Sequence, residues 1–563
     1  MASSVYAGRA DGLRFGAMPL GLVRFLRLVL FFGVAFQVAG LRAETWRSAL
    51  YPEDWQPGHA DPDGRFLHDF SHAGYRRGEA QPPDLSEVID VTQAPYLADL
   101  TGKADATAAI QAALDAAGRA GGGVVFLPAG SYRVAPPDGE REALVLRDDH
   151  VVLRGAGTGR TFLFNDSTQM RGKRVIALRP HEEVSWNADG KAATGVKIRE
   201  DLPKPTLRIP LDDVAEFSVG DLVVVRNDLT QHFIDLVGMT GKWTPGQSQN
   251  RTLTYCRRIM AVDAVDHILT VDIPLRGFLY TADNAQVVKV SGHMIREAGL
   301  EDFSIGMMQH PGEGLAEEDW SKPGTVGYEV HASAVMTLSF AEDCWVRRVH
   351  TYAPAGNDSK IHGLSNILQL WRTRLVTVSD CDFKFPQYRG GGGNGYGFAV
   401  NGQDNLIRDC RVEGARHNYD FGTMSASGNV ILDCLAKDGM HGSDFHMFLS
   451  LANLLDNVTC DGDFLEARAF RPWGGNPVHG VTTTQSVFWN TRGLHYSLER
   501  PVLVYSHQFG DGYVIGTRGP AAKVDSDDFV EGEGRGNELV PRSLYLDQLK
   551  RRRAAGADRS VKP

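Results

Sequence analysis

The chain has 563 residues, 42% hydrophobic and 23% charged, which is the composition of a large folded protein and excludes a disordered one. Its net charge of −10 implies no basic face for nucleic acid and mildly disfavours a highly anionic partner unless local patches override it. The 62 glycines imply many tight turns, as all-β repeat architectures need.

Residues 1–43 read as a signal peptide. Arg24 and Arg27 precede the apolar run 28–38, and Leu41-Arg42-Ala43 could end it. Met18 is an alternative start, because 18–43 is a complete signal by itself. The run is short for a membrane span, so the expectation is an exported chain, secreted or periplasmic, with no span once matured. Residues 44–90 are rich in Trp, His, Pro and Gly and show no period; they are expected to pack irregularly on the body.

Residues 91–171 open the regular part. The alanine-rich stretch 105–117 has high helix propensity, with Asp105 as N-cap and Gly118 near its end. It runs into Gly121-Gly122-Gly123-Val124-Val125-Phe126-Leu127, an apolar strand, and then the turn Pro128-Ala129-Gly130-Ser131-Tyr132. The stretch Val151-Val152-Leu153-Arg154-Gly155 reads as an early coil. Gly155, Gly157 and Gly159 belong to a coil turn rather than a phosphate loop, since no alternating βαβ pattern surrounds them.

Residues 172–291 break the pattern. Strand-like runs at 207–210, 220–226 and 268–273, separated by turn signals, predict a small inserted β-rich domain whose stretch 232–255 overhangs the body. Across 292–520 a repeat takes over. Asp343-Cys344, Asp380-Cys381, Asp409-Cys410, Asp433-Cys434 and Thr459-Cys460 follow at intervals of 37, 29, 24 and 26, and Asn405, Asn429 and Asn453 recur every 24 residues. A period in the low twenties means stacked coils, about 4.8 Å apart. Each coil buries its cysteine, and the asparagines ladder along a turn. Stacked side chains point the same way, so buried free thiols are expected rather than disulfides. The long intervals place enlarged turns near 352–365 and 387–396, where a site can be built. Residues 521–563 are expected as a polar tail with a short surface helix at 543–553 and disorder beyond Ala555.

Stacking makes neighbours of residues one period apart. His417 and His441, Asp420 and Asp444, and Phe421 and Phe445 are each separated by 24. His446, Glu466, Arg468, Arg471, Trp473 and His479 follow. Two close carboxylates cannot both ionise easily, which suits acid–base work on a sugar. Adjacent coils give a separation of about 5 Å, near that of a retaining glycosidase, and two coils about 9 Å, near an inverting one. Asp420, Asp444 and Glu466 are the candidate acid and base. In the alternative chemistry His417, Tyr419 or His441 removes the proton α to a uronate carboxylate, which an arginine neutralises. For binding, Tyr388, Tyr396, Trp473 and Trp489 could stack on sugar faces, Arg389, Arg416, Arg468 and Arg471 could bind carboxylates, and His479 lies beside them. The plain structural alternative is a polar ladder that only satisfies turns. No cofactor or metal is implied: HExxH and CxxC are absent. Asp461-Gly462-Asp463 could help bind calcium, but one short acidic pair is not a site.

From residue 90 to Val134, on the helix, glycine turn, apolar strand and Pro-x-Gly-x-Tyr turn quoted above, and again from Leu300 to Gly519, the chain resembles the pectate-lyase-like superfamily of single-stranded right-handed β-helices. The resemblance implies an all-β fold: a right-handed parallel β-helix with an N-terminal capping helix, here carrying the inserted β-rich domain. Its members include polygalacturonase-type hydrolases, polysaccharide lyases and phage tailspikes. The Asn-Thr-Asp, Asp-Asp, Gly-His-Gly and Arg-Ile-Lys set of polygalacturonases is not found; Met440-His441-Gly442 only partly echoes it, so no catalytic residue carries over. The expected function is a secreted enzyme that cleaves a polysaccharide, first as a glycoside hydrolase, second as a lyase, with a non-catalytic carbohydrate-binding β-helix third.

Overall fold

The computed structural model describes residues 44–86, 88–186, 194–247 and 252–560; the signal-peptide expectation for 1–43 lies outside them. The body is a right-handed parallel β-helix. One long face is a parallel sheet that runs from Glu142–Leu146 and Arg174–Leu178 through Ala334–Ser339, Asn366–Arg374, Tyr396–Gln403, His417–Phe421, Ser443–Phe445, Leu465–Ala467 and Val504–Ser506 to Val524–Ser526. The strands of the other faces join in a second sheet of 19 strands.

The Asp-Cys repeat marks a corner of each coil. Asp380 separates strand Thr377–Ser379 from Asp382–Lys384. Asp343, Asp380, Asp409 and Asp433 have φ of 50, 55, 54 and 52°, the left-handed conformation that Asp and Asn tolerate best among residues with a side chain. The bend turns the next side chain inward, and all six cysteines are buried and free. Below the cysteines runs an in-register column of Val378, Ile407, Ile431, Leu455, Phe488 and Val514. Each such buried side chain stabilises the coil by about 1.5–3 kcal/mol. On the opposite inner wall Phe398 stacks on Tyr419 and Phe421 on Phe445, with ring centres 5.3 and 4.9 Å apart. The asparagines form the expected ladder: Asn405 Nδ2 donates to Asn429 Oδ1 and Asn429 Nδ2 to Asn453 Oδ1, both at 2.9 Å.

Helix Thr107–Arg119 buries Ile110, Ala113, Leu114 and Ala117 over the first coils. It starts one residue later than expected. Ala106 is the N-cap, while Asp105 Oδ1 accepts from Thr107 N at 2.8 Å and Thr107 Oγ1 at 2.6 Å from just outside.

Residues 196–289 contain a six-stranded antiparallel sheet in the order Thr206–Pro210, Ile268–Leu275, Thr254–Asp263, Leu222–Arg226, Gln286–Lys289, Val196–Lys197. Buried ion pairs fasten it to the coils. Asp404 pairs with Arg257 at 3.1 Å and Arg276 at 2.7 Å; Arg374 pairs with Glu342 at 2.8 Å and also with Asp272. The overhanging stretch is held by Trp243, whose Nε1 donates to Val478 O at 3.0 Å.

The C-terminal segment departs from the polar tail read in the sequence. Strands Val524–Ser526 and Phe529–Glu531 add to both sheets, and helix Leu544–Ser560 buries Leu544 and Tyr545. Asp456 anchors that helix, accepting from Ser543 Oγ at 2.7 Å and Tyr545 N at 2.9 Å. The N-terminal segment packs on the same helix: Tyr51 Oη donates to Asp547 at 2.8 Å, and Gln548 Nε2 to His68 O at 3.0 Å. Alternating polar residues hid these contacts, because only one face of the helix is covered.

Candidate active site

Alternate residues of a strand face the same side. On the outside of the long face the register aligns Gln369, Ala399, Asp420, Asp444, Glu466 and Tyr505 in one column. The carboxylates thus stand on three consecutive coils. Beside them lies a groove of about 330 Å³ lined by Gln369, Trp371, Tyr396, Asn401, Asp420, His446 and Phe448 among others.

Asp444 is the hub. It accepts from Arg471 Nη2 at 2.7 Å and His446 Nδ1 at 3.0 Å, and lies 3.3 Å from His417 Nδ1. Burial alone would raise its pKa; His417, Arg471 and His446 outweigh this and hold it well below the usual carboxylate range. Asp420 moves the other way. Burial first, and then the charge of Asp444 and a hydrogen bond to it, push Asp420 well above that range. The pair therefore divides into a protonated Asp420 and an ionised Asp444. Arg471 also reaches Glu466, which Arg468 engages at 2.8 Å.

His417 donates Nδ1–H to Gly442 O at 2.8 Å, and burial pulls its pKa down to about 3, so it is neutral at neutral pH. Arg471 is then the permanent positive charge on Asp444. His446 Nδ1 lies 3.0 Å from Asp444 Oδ2 and 3.2 Å from Arg471 Nη1, so both partners hold the ring through Nδ1. Tyr396 packs edge-on to His417, ring centres 5.3 Å apart, and at 5.8 Å from His446; burial pushes its phenol well above the ordinary value, so it keeps its proton. His479 packs against His446 with the rings tilted and their centres 5.0 Å apart. His441 sits at the rim, 5.6 Å from the His417 ring, with Nδ1 3.2 Å from Glu499.

Asp420, Asp444, Glu466, His417, Tyr396, Arg468, Arg471 and His479 thus come together, with His441 and the half-exposed Trp473 at the edge. Five other candidates lie elsewhere. Tyr419 points into the core against Phe398, its hydroxyl 3.4 Å from Cys410 O and Leu435 O, so it cannot reach a substrate. Tyr388 is fully buried and accepts from Trp320 N at 2.9 Å. Arg416 makes a two-pronged pair with Glu317 at 2.8 Å, and Arg389 donates to Gly414 O at 3.1 Å. These three tie an enlarged turn to the coil instead of lining the groove. Trp489 is also buried, bonded through Nε1 to Pro541 O at 3.1 Å.

His446, Gln369, Trp371 and Asn401 were missed as site residues. His446 was legible: it stands two residues after Asp444 and so shares its face. The other three lie on longer coils, where the 24-residue spacing no longer indicates register.

His417, Asp444 and His446 offer one donor each within 4.8 Å of one another, the shape of a small metal site. The guanidinium of Arg471 already supplies positive charge there, and Nδ1 of His417 is engaged by Gly442 O. The acidic pair considered for calcium does not converge: Asp461 faces His495 at 2.6 Å, and Asp463 accepts from Asn418 Nδ2 at 2.6 Å and Ser443 N at 3.1 Å. Among the described residues no helix is long and apolar enough to cross a membrane.

Residues 94–194 match the family model described as rhamnogalacturonase A/epimerase, pectate lyase-like. A stretch of 62 residues is 48% identical to alginate lyase 7 and 50% identical to mannuronan C5-epimerase AlgE3, both of Azotobacter vinelandii. That stretch is 11% of this chain and only 7% and 3% of those relatives. Among solved structures, the Pseudomonas phage phi297 tailspike gp61 is 12% identical, covering 77% of this chain and 70% of that one with a TM-score of 0.40. The AlgE4 A-module of the Azotobacter vinelandii mannuronan C-5 epimerase is 14% identical, covering 79% and 96%, with a TM-score of 0.32. The chain folds as a right-handed parallel β-helix, and its residues 94–194 are similar to the pectate-lyase-like family model.

Proposed function

We propose that the protein is an exported polysaccharide lyase that cleaves a uronate-containing polymer by β-elimination. One observation carries the choice: the Asp444 side chain is fully buried beneath His417, His446 and Arg471. A carboxylate closed off in this way cannot act on a glycosidic bond as the second member of a hydrolytic pair, and Glu466 is engaged by Arg468 and Arg471. The same arrangement suits elimination. Nε2 of His446, oriented by Asp444, takes the C5 proton of a uronate. The protonated Asp420 donates to the uronate carboxylate and stabilises the charge that develops there. The Tyr396 phenol gives its proton to the leaving O4 as the C4–O4 bond breaks and the C4–C5 double bond forms. The relatives named for alginate lysis and for mannuronan C5 epimerisation support the reading, since both reactions begin by removing the C5 proton.

The test is incubation with polymannuronate, polyguluronate and polygalacturonate. The expected products absorb in the ultraviolet, and their masses sum to that of the parent. One water gained per cut would reinstate the hydrolase. Deuterium uptake at C5 from heavy water without cleavage would make the protein an epimerase.

A further inference from the structure

Beyond Glu466 the outer face carries a run of interleaved arginines and aromatic rings that the elimination step does not use. The Arg468 guanidinium lies over the Trp473 ring at 5.2 Å and the Tyr505 ring at 6.0 Å. Arg500 lies over Tyr505 at 3.9 Å and near Phe464 at 5.9 Å. Trp473 is 50% exposed. Arg468 is paired with Glu466, whereas the Arg500 guanidinium has no carboxylate within ion-pair distance among the described residues, and its Nε is buried without a hydrogen-bond partner. A cation held over a ring without an ion-paired carboxylate is suited to receive one from outside. Glu499 and Asp525 are the acids nearby; Glu499 is turned to His441 and Asp525 to His507.

The register fixes where this run stands. Asp420 aligns with Asp444, Asp444 with Glu466 and Glu466 with Tyr505, so Tyr505 is three coils from the carboxyl that receives the reacting uronate. Three coils span about 15 Å, close to the length of three sugar residues in an extended chain. We infer that Arg500, on its Tyr505 platform and beside Arg468 and Trp473, forms a binding subsite for the carboxylate of a uronate about three residues from the reacting sugar, so that the polymer lies along the β-helix axis. The inference rests on the uronate reading above and extends it to residues outside the groove.

The experiment measures retardation of the full-length protein in gels containing polymannuronate, polygalacturonate or neutral dextran of matched length. Wild type is expected to be slowed by a polyuronate and not by dextran. Arg500→Gln is expected to weaken the polyuronate dissociation constant by about 10-fold, the value of a charge-assisted hydrogen bond. Tyr505→Phe keeps the platform and is expected to bind like wild type, whereas Tyr505→Ala weakens binding as Arg500→Gln does. Melting curves show which variants remain folded. Equal binding by wild type and a folded Arg500→Gln overturns the subsite, as does wild type that ignores both polyuronates or holds dextran equally well. Binding that depends on Arg500 without any unsaturated product keeps the subsite and removes the lyase. Unsaturated product with binding indifferent to Arg500 does the reverse.

Discussion

Replacing Asp444 by Asn changes one charge and almost no volume, and the structure indicates what should follow. Asp444 holds His446 through the 3.0 Å contact with Nδ1, which Arg471 Nη1 also approaches at 3.2 Å. An amide can present its NH₂ there instead, which moves the imidazole proton to Nε2 and removes the lone pair that elimination needs. Asp420 is affected too. Its pKa is raised by burial and then by the Asp444 charge; with that charge gone the rise is smaller, and Asp420 holds its proton less firmly for the uronate carboxylate. Loss of a positioned base costs about 10²–10⁴-fold in rate, or ~3–5 kcal/mol in the barrier. The fold should survive, because Arg471 keeps Glu466 as a partner. The assay is the initial rate of ultraviolet absorbance on saturating polyuronate, with a melting curve as control. A folded Asp444→Asn whose kcat stays within a factor of about three of wild type would refute the assignment, since the expected loss is far larger.

Three further outcomes follow from the fold. Asp404→Asn leaves Arg257 and Arg276 buried without their carboxylate, and urea unfolding should show a loss of about 3–5 kcal/mol; a loss below 1 kcal/mol would mean the inserted sheet is held by other contacts. Burial raises Asp456 from 3.8 to about 7, so the protonated form favours the folded chain: this contribution is complete below about pH 4 and lost as the pH rises through about 7. Asp456→Asn should therefore melt higher than wild type at pH 8, with the gap closing toward pH 4; parallel curves would exclude Asp456 as the cause. Burial holds the thiols of Cys256, Cys344, Cys410 and Cys460 above their ordinary pKa, and none of the six cysteines is paired. A thiol reagent should label no cysteine in the native protein and six after denaturation.

The sequence made the repeat legible because a β-helix repeats its corners in the chain itself. An aspartate that must adopt a left-handed bend, followed by a small apolar residue that must face inward, gives a pattern visible without any knowledge of pairing. From that pattern Asp420 over Asp444 and Phe421 over Phe445 could be read, and the register places them so. Where a coil is longer the spacing no longer indicates register. Tyr396 pairs with His417 only 21 positions on, after a turn whose length follows from what it packs against. Tyr388 and Arg389 looked like binding residues because they sit in the enlarged turn 387–396, but a long turn needs anchoring, and these two side chains, with Arg416 from the next coil, provide it.

The chemistry was less legible than the stacking, and the reason is physical. A 24-residue period shows that two carboxylates are neighbours, but not which of them is ionised. That depends on Arg471, which lies 27 positions after Asp444 and reaches it from a loop joined to Gly480 by paired backbone hydrogen bonds. Arg471 acts with His417 and His446 to hold Asp444 as an anion, while burial and the Asp444 charge keep the proton on Asp420. The turn 471–480 thus helps set the protonation pattern of the neighbouring coils, so substitutions at Arg471 should alter the pH profile of the reaction as well as its rate.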